Sequence, residues 1–294
     1  MHGTNGMLKS PLSRKAVLVS LNISTWTARK FDREVTDKVN KDRGATKDAG
    51  RYNKLLIEAN RLKPVQSVVT EARDLFYRYT RPWADGVGIL PNVSYAEFTN
   101  KMRALKQRFA NVADEFALNF SSYVAERQAK LGKIFKAEDY PNAKEIRSRF
   151  NFDLTFANVP DAGDFRSDVL DEDTVNDIRD EIAAGERKAE QDIMDHTFRK
   201  IAEVVGNMAH KLGEYKTKEK SHFKDTLVGN IRELTELLPT FNLTGDPKLA
   251  EITKRLQSEL CIEDAKTLRD SDEVRASVQK SAEEILAEVE AHMA

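Results

Sequence analysis

Between Val175 and Leu212 apolar side chains return every three, four or seven residues, at Val175, Ile178, Ile182, Ala189, Ile193, Thr197, Ile201, Val204, Met208 and Leu212. A stripe of that period belongs to one long amphipathic α-helix. The acidic run Asp171–Asp173 ahead of it suits the positive end of a helix dipole. At the rise of an α-helix this element would reach roughly 60 Å, with Gly185 and Gly206 as the places where it could bend. A second stripe, Phe98, Met102, Leu105, Phe109, Val112, Phe116 and Tyr123, reads as an a/d seam with Asn119 at the skipped position. Ser94 with Glu97 has the spacing of a capping box, and Gly132 marks a stop after Leu131. That helix would be on the order of 55 Å long. Two such helices predict a mainly α fold, with long amphipathic helices in an elongated bundle. The seam can pack inside the chain or against a second copy. The several other amphipathic helices favour the first, and an oligomer is the alternative.

The shorter elements complete the reading. Residues 1–14 have no period and read as a flexible tail. Val17–Ile23 alternates as a strand does. A helix is predicted from Trp26 to Asn40, capped by Ser24 or Thr25, then a loop over Lys41–Gly50. Helical spacing resumes at Tyr52, Leu55, Leu56, Ala59 and Leu62, and Pro64 kinks that helix or opens a new one from Val65 to Tyr79. Two prolines and two glycines between Arg81 and Asn92 predict a loop. A short helix is expected over Pro141–Ser148. A strand over Phe150–Phe156 and a returning strand over Phe165–Val169 would join the first in a small two- or three-stranded antiparallel sheet. Further helices are predicted from His222 to Leu238, stopping at Pro239, and from Pro247 to Leu260. A last helix is capped by Ser271, with Val274, Val278, Ile285 and Val289 on its face. The expected organisation is the tail, a helical domain over 15–220, and an acidic C-terminal helical region over 221–294.

The chemistry that could be legible is sparse. The lone Cys261 leaves no internal disulfide and no cysteine-based zinc site. No signal peptide is visible, and no apolar run approaches the roughly 20 residues of a membrane span, so no membrane association and a cytoplasmic location in a bacterial host are expected. His2, His196, His210, His222 and His292 show no His-Glu-x-x-His spacing, and Glu-x-x-His occurs once, at Glu219–His222, where a di-iron carboxylate bundle needs two. The pairs Asp192–His196 and His210–Glu214 are spaced as ion pairs along a helix. Gly86-Val87-Gly88 lacks the third glycine of a dinucleotide loop, and neither a phosphate loop nor a Gly-x-Ser-x-Gly elbow occurs. No catalytic residue, metal or cofactor is therefore expected. The net charge of −1 conceals a split, with 28 Lys and Arg against 16 Asp and Glu in residues 1–150, and 19 against 32 in the remainder. Such asymmetry steers charged partners. The most suggestive cluster interleaves Arg73, Arg78 and Arg81 with Phe76, Tyr77, Tyr79 and Trp83, and a basic helix face follows with Lys101, Arg103, Lys106 and Arg108. Arginine contacts phosphates and aromatic rings stack on unpaired bases. Arg73, Arg78, Arg81, Trp83, Lys101 and Arg108 are thus the candidates for a nucleic-acid surface. The bland alternative is a helix end with a closed core and solvated charges.

The order of several short motifs resembles an uncharacterised helical family encoded by phages and plasmids. The residues that carry it are Trp83-Ala84-Asp85-Gly86 with Gly88-Ile89-Leu90-Pro91, Asp139-Tyr140-Pro141, Arg149-Phe150-Asn151-Phe152, Val159-Pro160 and Asp164-Phe165-Arg166, within about residues 15–220. Members of that family are often encoded beside a MoxR-type AAA+ ATPase and a von Willebrand A protein. The resemblance implies a protein partner, not a reaction, and brings no assigned site residue. The expectation is a non-enzymatic scaffold or adaptor of a phage or mobile element working with an AAA+ ATPase. A nucleic-acid-binding protein using the basic half is the alternative, and an enzyme of unrecognised type the third reading.

Overall fold

The computed structural model describes residues 11–215 and 223–293. It is 69% helical, with nine α-helices among the described residues, a four-stranded antiparallel sheet and a two-stranded ribbon. The elements are α1 (Pro11–Lys15), β1 (Ala16–Ser24), β2 (Arg29–Phe31), α2 (Arg33–Asp42), β3 (Asn53–Leu55), α3 (Ala59–Tyr79), β4 (Arg81–Ala84), β5 (Val87–Pro91), α4 (Tyr95–Leu131), β6 (Asn151–Asn158), α5 (Glu172–Glu214), α6 (Thr226–Phe241), α7 (Pro247–Arg255), α8 (Ala265–Asp270) and α9 (Asp272–Met293). The sheet order is β4-β5-β1-β6. By contacts the chain forms two compact units that do not follow chain order. Unit 1 holds residues 1–20, 77–96 and 156–294; unit 2 holds 21–76 and 97–155. The helices beyond residue 220 thus share a unit with α5, and no unit boundary falls there.

Unit 2 is organised by α3 and α4. The ion pairs Arg108–Glu71 and Arg61–Glu126 tie the two helices together in antiparallel sense. α4 runs from Tyr95 to Leu131 as the sequence predicts, and Gly132 turns the chain at φ +52°, a conformation a Cβ disfavours. Its buried face is Phe98, Met102, Leu105, Phe109, Ala113, Phe116 and Phe120. A straight helix drifts against a strict heptad, so Ala113 and Phe120 turn inward in place of Val112 and Asn119, while Tyr123 is half-buried against Phe116. Trp26 packs on Phe120 and Phe116 at 5.5 and 6.3 Å, and Phe152 on Phe109 at 5.6 Å.

Three expectations fail in this unit. Residues 26–32 are not helical. Ala28 sits at φ +53°, Arg29–Phe31 form β2, and the helix starts only at Arg33, with Asp32 rather than Ser24 or Thr25 accepting from Val35 N. Asn53–Leu55 is likewise extended, as β3 pairs with β2 through Arg29↔Leu55, Lys30↔Lys54 and Phe31↔Asn53, and the helix begins only at Ala59. Pro64 lies inside α3 without ending it. The helix expected over Pro141–Ser148 is reduced to a 3₁₀ turn at Ile146–Arg149.

Unit 1 is built on α5, a continuous helix through Gly185 and Gly206 capped by Asp171, whose side chain accepts from Thr174 N. Its C-terminal half shares a core with α6 to α9, where Ile201, Val205, Met208, Ile231, Leu238, Leu249, Ile252, Leu268 and Ile285 are fully or almost fully buried. α7 begins at Pro247 and continues as a π-helical turn over Leu256–Leu260, and Ser271 Oγ accepts from Val274 N at the start of α9. α6 does not stop at Pro239 but ends at Phe241, and its expected start at His222 lies outside the described residues. A second cluster joins Leu12, Ala16, Leu18, Ile89, Val159, Ile193 and Leu243.

The segment Arg81–Asn92 is a hairpin, not a loop. β4 and β5 pair through Arg81↔Ile89 and Pro82↔Gly88 around a turn with Gly86 at φ +70°, and β5 pairs with β1 from Ala16↔Pro91 to Ser20↔Val87. Pro82 is tolerated because β4 is an edge strand. This hairpin makes the sheet larger than the two or three strands expected. The expected return strand at Phe165–Val169 is absent; Val169 N and Leu170 N donate to Ser167 Oγ in a turn instead. Of the expected tail, Pro11–Lys15 forms α1 with Leu12 buried, and residues 1–10 lie outside the described residues. No helix among the described residues is long and apolar enough to cross a membrane.

Candidate functional site

A buried polar cluster in unit 2 borders a cleft of about 460 Å³ lined by Phe31, Asp32, Arg33, Glu34, Asp37, Lys54, Lys136 and Asp139. Strand alternation creates it. In β3 Asn53 and Leu55 face outward, which turns Lys54 inward, to 1% exposure. Its Nζ donates to Asp32 Oδ2 (3.1 Å) and to the Ile134 carbonyl (2.8 Å), and Asp139 Oδ2 lies 2.5 Å away as a close charge contact. Asp32 serves twice, because its Oδ1 also caps α2 at Val35 N (3.1 Å). One ammonium thus joins β3, the start of α2 and the segment that follows α4.

Burial works against the Lys54 charge, but the bonds to Asp139 and Asp32 together hold its pKa above the ordinary lysine value. The Val35 amide does most to hold the Asp32 carboxyl below its usual range; burial opposes this and Lys54 adds to the lowering. A lysine held protonated is neither nucleophile nor base. The rim is engaged as well, by Lys136–Glu34 at 3.2 Å and the more exposed Arg33–Asp37 at 3.8 Å. This is the chemistry of a clamp. Among the described residues no group of three or more His, Cys, Asp or Glu is placed to hold a metal ion.

The residues singled out for nucleic acid are dispersed. Arg78, Arg81 and Trp83 belong to unit 1, and Arg73, Lys101 and Arg108 to unit 2. Arg73 is exposed on α3 and makes no ion pair among the described residues. Arg78 pairs with Glu233 at 3.1 Å, and Lys101 with Glu97 at 2.6 Å along α4. Arg108 forks onto both carboxylate oxygens of Glu71, at 2.6 and 3.1 Å. Trp83 is half-buried against the Leu12–Ile89 cluster, and Phe76 and Tyr79 are buried while Tyr77 is exposed. Arg81 turns inward. Its Nε donates to Thr197 Oγ1 (3.2 Å), its Nη1 to the Thr80 carbonyl (3.0 Å), and its guanidinium lies 3.6 Å from the centre of the Phe241 ring. Burial alone pulls its pKa down to about 10.

Sequence reasoning missed Lys54, Asp32 and Asp139. Their partnership spans 22 positions on one side and the whole of α3 and α4 on the other, and no local spacing marks it. Residues 14–257 match the model of a family described as a protein of unknown function, DUF3150. No curated protein and no solved structure matches the chain.

Proposed function

The chain belongs to the DUF3150 family, and from that premise we propose that it is a non-enzymatic scaffold or adaptor of a phage or other mobile element, working with an AAA+ ATPase. The observation that carries this reading is the distribution of charge. Unit 2 holds 23 Lys and Arg against 16 Asp and Glu, a net +7, while unit 1 holds 24 against 32, a net −8. A chain with two units of opposite sign presents surfaces that steer and orient charged protein partners. The Lys54 cluster supports the same reading, because its titratable groups are committed to holding elements together. The resemblance described above supplies the class of partner and the mobile-element setting. In the test, the chain is co-expressed with an AAA+ ATPase of the proposed class, and the complex is captured at low salt. Shared elution is expected, together with no ATP hydrolysis by the chain alone. Hydrolysis by the purified chain would overturn the non-enzymatic part.

A second reading, nucleic-acid binding, is favoured by the net +7 of unit 2 and by the exposed Arg73, which makes no ion pair among the described residues. It requires a gel shift at low salt that weakens steeply as salt rises, since phosphate contacts release counterions. Arg73→Ala should weaken the shift further, and Trp83→Ala should weaken single-strand binding selectively. No shift with single- or double-stranded DNA removes DNA from this reading.

A further inference from the structure

Arginine is rarely buried without a carboxylate, because a guanidinium taken out of water alone is costly. Arg81 is 6% exposed, and its partners among the described residues are a hydroxyl, a backbone carbonyl and an aromatic ring. We propose that Arg81 is the receptor for an oxyanion, the carboxylate or phosphate group of a small molecule, where β4 meets α5 and α6 in unit 1.

The surroundings hold the guanidinium as a receptor needs. The Thr197 hydroxyl gives its own proton to the Ile193 carbonyl (2.8 Å), so it offers Arg81 Nε a lone pair and fixes the ring-facing plane. The Thr80 carbonyl fixes Nη1, and the Phe241 face supports the plane from below. An arginine has five N–H donors, and two are used here. The remaining three include both protons of Nη2, and Arg81 is not among the residues with a sealed, unsatisfied side-chain atom. A planar fork of free N–H groups matches a carboxylate or phosphate better than any other partner.

A second cation, the exposed Lys15 of α1, belongs to the same unit. Lys15 Nζ donates to the Leu243 carbonyl at 2.7 Å, two residues beyond Phe241, and it too has no carboxylate partner among the described residues. The C-terminal end of α6 contributes only about half an elementary negative charge against these two cations. Asp161, which α1 reaches through Ser13, is engaged by the Ser13 hydroxyl (2.7 Å) and the Gly163 amide (2.9 Å). The net −8 of unit 1 disfavours an extended polyanion, so the ligand is small.

The test uses the full chain, with sodium phosphate and sodium citrate titrated at constant ionic strength against NaCl. Melting temperature and calorimetric binding are both followed. A saturable response to at least one oxyanion is expected, weakened at least tenfold by Arg81→Gln and several-fold by Lys15→Met. A response to phosphate alone assigns a phosphate ligand, and a response to citrate alone a carboxylate. No saturable response with either overturns the proposal, as does equal affinity in Arg81→Gln. Should Arg81→Gln fail to fold by circular dichroism, Lys15→Met and Thr197→Val decide, and unchanged affinity in both overturns it.

Discussion

Replacing Lys54 by Met keeps an unbranched stem of similar length and removes the charge that Asp32 and Asp139 face. The side chains of those carboxylates are only 6% and 10% exposed, and that of Lys54 is 1% exposed, so water does little to replace the lost cation. Breaking a buried pair in this way costs about 3–5 kcal/mol. For a unit of roughly 115 residues, at ~4 °C per kcal/mol, the melting temperature of unit 2 should fall by about 12–20 °C. The chain has two tryptophans, Trp26 in unit 2 and Trp83 in unit 1, so Trp26 emission in a Trp83→Phe background reports on unit 2 alone. The pH dependence has a definite sign. The lowered pKa of Asp32 gives stability that is present above its unfolded value, near 3.8, and is lost as pH falls through the folded value. The raised pKa of Lys54 gives stability that is present below about 10.5 and is lost as pH rises through its higher folded value. The wild-type contribution therefore holds from about pH 5 to 9. The deficit of Lys54→Met should shrink as pH falls towards the range where the Asp32 carboxyl takes up its proton. Adding Asp32→Asn and Asp139→Asn should recover most of the loss, since Asn still caps α2. A deficit below about 1 kcal/mol in Lys54→Met, or no recovery in the triple variant, would refute the clamp.

Two further substitutions probe the helical framework. Gly132→Ala, at φ +52°, should cost about 1 kcal/mol, read by Trp26 emission in the same background. Ile285→Ala, at a fully buried position on α9, should lower the stability of unit 1 by about 2–5 kcal/mol, read by Trp83 emission in a Trp26→Phe background.

The long helices were legible because their signals are local. Gly132 and the apolar repeats mark the extent of α4, and Asp171 marks the start of α5. β1 was legible from its partial alternation, although Ala16, Leu18 and Val19 are all buried at its start. The hairpin Arg81–Pro91 was not, because the glycine and proline that read as a loop are also what a tight turn and an edge strand use. Trp26–Phe31 misled in the opposite direction. Its spacing fits a helix, yet β3 supplies a pairing partner and Asp32 a later cap. The Lys54 clamp and the burial of Arg81 could not be read at all, since each depends on residues that meet only after the chain has folded back. Composition revealed the charge split between the two halves of the chain, and the contacts redistribute it, reduced to +7 and −8, over two units built from interleaved segments.

The adaptor reading is tested most directly by equilibrium binding of the purified full chain to the purified, ATP-loaded ring of an AAA+ ATPase of the proposed class, measured by analytical ultracentrifugation across a salt series. The account predicts a complex at about 50 mM salt that weakens progressively towards about 500 mM, as charges on the two surfaces are screened. Independent sedimentation of chain and ring at every salt concentration, with the ring shown to be assembled and nucleotide-bound, would contradict it.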